Sequence, residues 1–210
     1  MKILISGFEA FDGDLFNPSE ELVYDLSKKD HPFELFSVLL PVSFEDSFER
    51  MRSEIERVHP DVVLSFGLAK SRNLLSVERV AINWMEAQRP DNLGFQPRGE
   101  RISVDGPDAF FSNLPVNALA QASLEAGVPT AVSNTAGTFV CNYLMFKLTE
   151  FCKRNHIRSG FIHVPMRRQL NSSLEDGMTP ESLALGAEAI LGEIFQPKIR
   201  EEAINFGKND

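Results

Sequence analysis

Residues 2–26 read KILISGFEAFDGDLFNPSEELVYDL. The first five are aliphatic apart from their ends, which fits a strand buried on both faces. A loop with two glycines follows, and then a helix start: Asn17 as N-cap, Pro18 at the first helical position, Glu20 closing a capping box. A buried strand that runs into a capped helix is the repeating unit of an α/β sheet, and the chain repeats it.

FELFSVLLPV (33–42) is a second strand, and Phe44, Phe48, Met51, Ile55 and Val58 then recur at spacings of four and three, one apolar helix face. DVVLSFG (61–67) is a third strand, and LLSVERVAIN (74–83) has the short alternation of a strand or strand pair. Residues 84–113 are rich in Pro, Gly, Asp, Asn and Arg and read as a long surface excursion, of a length usually functional or disordered. PVNALAQASLEAG (115–127) is a helix ending at Gly127, PTAVS (129–133) and GFIHV (160–164) are strands, and Thr179-Pro180 opens a last helix with Leu183, Ala187, Ile190 and Ile194 on one stripe. The expectation is a single domain over residues 1–210, an α/β sandwich with a mostly parallel sheet covered on both faces, its chemistry gathered where strands end.

The chain has 210 residues, 43% of them hydrophobic, and a formal net charge of −9. That charge argues against nucleic acid or an anionic membrane as partner, because both require clustered Lys and Arg. No apolar run reaches the roughly 18 residues of a membrane span, and MKILISGF lacks the pattern of a secretory signal. Two cysteines are too few for a disulfide framework, so a reducing cytoplasm is the expected location. No HExxH or CxxC occurs and the His and Cys residues are scattered, so no metal is expected. GFEAFDGD lacks the glycines of a dinucleotide loop, but it sets Phe8 and Phe11 beside the end of the first strand, where they wall a small apolar pocket or staple the loop to the core.

Three residues carry the candidate chemistry. Cys141 closes the small-residue run SNTAGTFVC (133–141) just where a helical pattern begins. Unpaired N–H groups and the positive end of a helix there favour a thiolate nucleophile. The competing reading is a core thiol, with Cys152 about three turns along the same face. Of the four histidines, His163 alone lies near the end of an apolar strand, as a catalytic base or as a satisfied core residue. Glu78 sits among Val77, Val80 and Ile82 and needs a partner if buried. That partner is His163, or else Arg79 on an exposed edge.

The motifs GFEAFDG…NPS (7–19), LPVSF (40–44), SVERVAIN (76–83), RPDNLGFQP (89–97), DGPDAFFSNLP (105–115), SNTAGTFVCN (133–142) and GFIHVP (160–165) resemble, in this order, the pyrrolidone-carboxylate peptidase or pyroglutamyl peptidase I family. The resemblance implies an α/β/α sandwich with a mixed, twisted sheet, a cysteine peptidase that removes N-terminal 5-oxoproline from peptides, no cofactor, and a homotetramer. It implies a catalytic triad of Cys141, His163 and Glu78, with Phe8, Phe11, Phe139 and Val140 clasping the lactam. Two departures stand out. Gln88 takes the column of an arginine that supports the oxyanion in the family, with Arg89 one place on, and Met166-Arg167-Arg168-Gln169 replaces a Pro-Glu-Gln continuation at the far rim. The alternatives are a nucleoside-phosphorylase-like enzyme on a similar scaffold, or a pyroglutamyl-peptide binder whose catalysis is weakened by the change at Gln88.

Overall fold

A computed structural model describes residues 1–167, 177–199 and 204–207. In chain order these form β1 (Lys2–Phe8), α1 (Pro18–Ser27), β2 (Glu34–Leu40), α2 (Phe44–Val58), β3 (Val62–Leu68), β4 (Leu75–Glu78), β5 (Val80–Ile82), β6 (Met85–Glu86), β7 (Arg98–Glu100), β8 (Ala109–Phe111), α3 (Val116–Glu125), β9 (Thr130–Ser133), α4 (Val140–Arg154), β10 (Arg158–Val164) and α5 (Pro180–Phe195). The expected elements are all present, and the stretch 74–83 resolves into the strand pair β4 and β5.

The main sheet runs β2-β1-β3-β10-β4-β9. Every neighbouring pair is parallel except β10 and β4, which are antiparallel. The physical reason is the connection before β4. Residues 69–74 are too few for the helical crossover that a parallel return needs, so the chain passes over the end of β10 and comes back reversed. The turn is fixed by two backbone bonds, Ala69 N–H to the Val164 carbonyl (2.9 Å) and Arg72 N–H to the Ala69 carbonyl (3.0 Å).

Helices cover both faces. Leu22 and Leu26 of α1, Leu119 of α3 and Leu183, Ile190 and Ile194 of α5 pack on one side with Ile3, Ile5 and Leu64 of the sheet. Phe44, Met51 and Ile55 of α2 and Leu144, Phe146 and Leu148 of α4 pack on the other with Leu4, Val63 and Phe161. Strands β1 and β3 are buried along nearly their whole length, as continuous apolar runs in a covered sheet must be.

Two expectations are corrected in detail. The Asn17 side chain caps α1 as expected, but it accepts from the N–H and hydroxyl of Ser19 (3.0 and 2.9 Å) and not from Glu20. The excursion from residue 84 to 113 is built rather than irregular: β5 pairs with β8 and β6 with β7 in two antiparallel ribbons. Its anchor is the buried Asp91, whose carboxylate accepts from the N–H groups of Leu93 and Phe95 (both 2.9 Å) and, across 47 positions, of Phe44 at the start of α2 (3.0 Å). Composition signalled turns there; a distant helix start needing a carboxylate turned them into an ordered wall.

Candidate active site

The site lies where β1, β3 and β10 end beneath the start of α4. His163 is 4% exposed and Glu78 is 0% exposed. Their pairing follows from register: β10 lies between β3 and β4, with Gly67 beside His163 on one flank and Ser76 beside it on the other. The His163 Nδ1 donates to Glu78 Oε1 at 2.7 Å, which leaves Nε2 as the free, basic nitrogen. Of the partners open to Glu78, His163 is therefore realised. Arg79 turns away to the side-chain oxygens of Asn134 and Asn117 (2.7 and 3.0 Å).

Cys141 is the second residue of α4 and is half-buried. Its sulfur lies over the sheet where only glycine fits: a Cβ on Gly67 would stand 2.9 Å from the Cys141 Sγ. Since Gly67 is the register partner of His163, the sulfur, the imidazole and the carboxylate share one end of the sheet. Cys152, on the same helix, is fully buried in the core beneath α2 and α4.

The first turn of α4 is left open. Its N-cap is Phe139, which offers no side-chain acceptor to the first N–H groups. The approach to it is held by loop bonds: Thr138 exchanges bonds with Glu86 through its hydroxyl (2.8 Å) and carbonyl (3.0 Å). Asn142 pins the helix from below, accepting from the Ile82 N–H (3.0 Å) and donating to the Ile82 and Trp84 carbonyls (2.9 and 3.0 Å).

The electrostatics correct one expectation. The start of a helix was expected to keep Cys141 ionised at neutral pH. Instead burial first, and the Glu78 carboxylate second, push its thiol up to about 12, while the Arg72 cation and the Cys141 backbone N–H pull the other way without prevailing. Burial likewise lowers His163, against its bond and attraction to Glu78. Both shifts favour the uncharged forms of the thiol and the imidazole at rest, and a proton taken from sulfur by His163 during attack fits them.

A cavity of about 430 Å³ opens over Cys141. Phe8, Phe11, Phe139 and Val140 all line it, and so do Val42 and Leu68, which the motifs did not single out. The Phe11 and Phe139 rings lie 5.2 Å apart, and Phe139 in turn meets Phe44 edge-on at 5.3 Å. Gln88 and Arg89 are at the rim. Arg89 is ion-paired with Asp12, and Lys70 with Asp14 at 2.6 Å, so the loop after β1 is gripped from both walls. The far rim is described as far as Arg167, which pairs with Glu21 (3.0 Å); Arg168 and Gln169 lie outside the described residues. Among the described residues no group of three or more His, Cys, Asp or Glu is placed to hold a metal ion. No helix among them is long and apolar enough to cross a membrane.

Sequence reasoning missed Arg72, whose guanidinium reaches Glu78 Oε1 (2.5 Å) and the Thr135 carbonyl (2.9 Å). The only local signal was a cation six positions before a carboxylate that would need a partner if buried.

An α/β sandwich that gathers a thiol at an open helix start, an imidazole and a buried carboxylate under a pocket walled by phenylalanines has the make-up of a cysteine hydrolase. The chain belongs to the pyroglutamyl peptidase family, whose sequence model matches residues 1–191. It is 44% identical to a pyrrolidone-carboxylate peptidase of Brachyspira hyodysenteriae, covering 79% of this chain and 83% of that one. It is 38% identical to one from Streptococcus pyogenes serotype M3, covering 99% and 98%. The crystal structure of pyroglutamyl peptidase I from Bacillus amyloliquefaciens matches with a TM-score of 0.85 at 37% identity, over 90% of this chain and 94% of that one. The protein is accordingly a cysteine-type omega peptidase that removes the N-terminal pyroglutamyl residue, and the phosphorylase alternative is set aside.

Proposed function

We propose that Cys141 is the nucleophile, His163 the general base and acid, and Glu78 the residue that fixes the imidazole tautomer. In this reading the Cys141 thiol attacks the carbonyl that joins pyroglutamate to the next residue while His163 Nε2 takes its proton. The proton passes to the leaving amine, and water, deprotonated by the same nitrogen, hydrolyses the acyl-enzyme. The observation that carries the reading is the Glu78 Oε1 to His163 Nδ1 bond at 2.7 Å, because it leaves the basic nitrogen for the sheet end where the sulfur is seated over Gly67, the register partner of His163.

The oxyanion falls to the uncapped N–H groups at the start of α4, at about 3 kcal/mol per donor. Arg89 is engaged by Asp12, and this reading gives that duty to the backbone rather than to Arg89 or Gln88. Phe8, Phe11, Phe139 and Val140 supply apolar walls for the lactam. Burying an ammonium against these apolar walls is costly, whereas the uncharged lactam carries no such penalty.

The test is turnover of a pyroglutamyl anilide by Cys141→Ser and Glu78→Gln variants. The serine variant should lose about four to six orders of magnitude in kcat, and an unaltered rate would refute the assignment. Lactam binding by the wild type without turnover would instead mark a silent binder.

We further infer a cytoplasmic homotetramer. Two free thiols suit a reducing compartment, and the excursion exposes Leu93, Val104 and Phe111, apolar surface for a neighbouring copy. Sedimentation of the purified chain as a monomer at micromolar concentration would overturn the tetramer.

A further inference from the structure

The Glu78 carboxylate is buried, yet one of its oxygens does two jobs. Oε1 accepts from His163 Nδ1 (2.7 Å) and from an Arg72 guanidinium nitrogen (2.5 Å), while Oε2 is buried with no partner among the described residues. The second guanidinium nitrogen donates to the Thr135 carbonyl (2.9 Å), in the loop that leads from β9 to the start of α4. That carbonyl also accepts from the Ser133 hydroxyl (3.0 Å), so it is a fixed point of the loop. Arg72 itself stands in the short turn that crosses the end of β10, the same turn that reverses β4.

We propose that Arg72 is a positioning residue of the catalytic relay, one guanidinium that clamps the Glu78 carboxylate to the imidazole and ties both to the loop carrying Cys141. The proposal rests on the reading of Glu78, His163 and Cys141 given above. Its physics is direct. A carboxylate buried without a cation is costly, and a single acceptor oxygen shared by two donors can swing unless the second donor is itself anchored. The guanidinium suits the task because its planar fork reaches two acceptors at fixed geometry, which an ammonium cannot do. The Arg72 cation also weighs on the two reacting groups: it opposes protonation of His163 and favours ionisation of Cys141.

The experiment compares Arg72→Gln, Arg72→Lys, Glu78→Gln and the double variant Arg72→Gln/Glu78→Gln on a pyroglutamyl anilide across pH. Arg72→Gln should lower kcat about 10- to 100-fold, the usual penalty for a misplaced catalytic group, with KM changed less than about twofold. The acid limb of kcat/KM should move to higher pH, since His163 accepts a proton more readily once the cation is gone, and iodoacetamide should label Cys141 more slowly. Arg72→Lys should keep the wild-type acid limb but lose about three- to tenfold in kcat, because one ammonium cannot hold both acceptors. In the Glu78→Gln background the Arg72 change should add less than about threefold, as expected of residues that act as a unit.

An Arg72→Gln variant with kcat within threefold of wild type and an unmoved pH profile would overturn the proposal. So would losses that multiply fully with those of Glu78→Gln. Should Arg72→Gln not fold, Arg72→Lys decides: a wild-type kcat in that variant is equally fatal. A silent Arg72 with an inactive Glu78→Gln enzyme removes only this inference, whereas a fully active Glu78→Gln enzyme removes the triad reading beneath it.

Discussion

Two helices on the same face of the sheet begin side by side and are treated oppositely. Helix α2 starts at Phe44, and its first N–H is taken up by the buried carboxylate of Asp91, brought across 47 positions from the long excursion. Helix α4 starts at Val140 behind an N-cap phenylalanine that offers it nothing. On the opposite face, α1 and α5 are also closed, by Asn17 and Thr179. An unsatisfied helix start costs stability, so leaving one open is informative when it faces a cavity and carries the sulfur. The closed start of α2 and the open start of α4 meet through the Phe44 and Phe139 rings. One helix end serves as the mount, the other as the working surface.

That comparison can be broken most severely with alkali. The thiols of Cys141 and Cys152 are both pushed from 9 to about 12, burial being the largest cause for each. The unfolded chain therefore loses these protons first, and stability should fall as pH rises from 9 towards 12. For the fully buried Cys152 the loss is on the order of 4 kcal/mol. Urea titrations at stepped pH should show the decline, and Cys152→Ser should flatten it. At the acid end the lowered His163 works in the opposite sense, so stability should fall as pH drops below the ordinary histidine value of about 6.5.

A second experiment closes the open start. Phe139→Asp supplies α4 with the cap it lacks and should cut kcat about 100-fold beyond Phe139→Ala, which removes the same ring without capping. Equal kcat in the two variants would show that the first turn of α4 is not where the oxyanion is held. The converse experiment opens the closed start. Asp91→Ala strands the N–H groups of Phe44, Leu93 and Phe95 and should cost about 2–3 kcal/mol in urea unfolding. It should also raise KM, because the Phe44 ring that backs Phe139 loses its mount. The smallest effect is expected at α1, where Asn17→Ala removes a local cap worth about 1 kcal/mol, again measured from the urea midpoint.

How much of this could be read along the chain depended on the range of each interaction. The α2 stripe, from Phe44 through Phe48, Met51 and Ile55 to Val58, is buried at every one of those positions, because a helix face needs only a spacing to declare itself. Motif resemblance picked out Cys141, His163 and Glu78, which the sheet brings to one end. Asp91 gave no such signal: in sequence it belongs to a turn, and its cap on α2 exists only because the excursion folds back across 47 positions. Arg72 was nearly as mute, since the choice of Arg72 over the adjacent Arg79 is made by the direction of β4. The sign of the Cys141 shift was misjudged for the same reason. A helix start can be read locally, but the burial that outweighs it cannot.

The order of amino acids by itself determined the strands of the main sheet and its helices, the layering they imply and which side chains could carry the chemistry, since periodicity, caps and motifs are properties of neighbours along the chain. Only the tertiary structure decided which carboxylate holds the imidazole, which cation holds the carboxylate, and that the thiol rests protonated. Charge interactions and desolvation depend on distance and on the exclusion of water, and neither exists until the sheet has brought remote strands together.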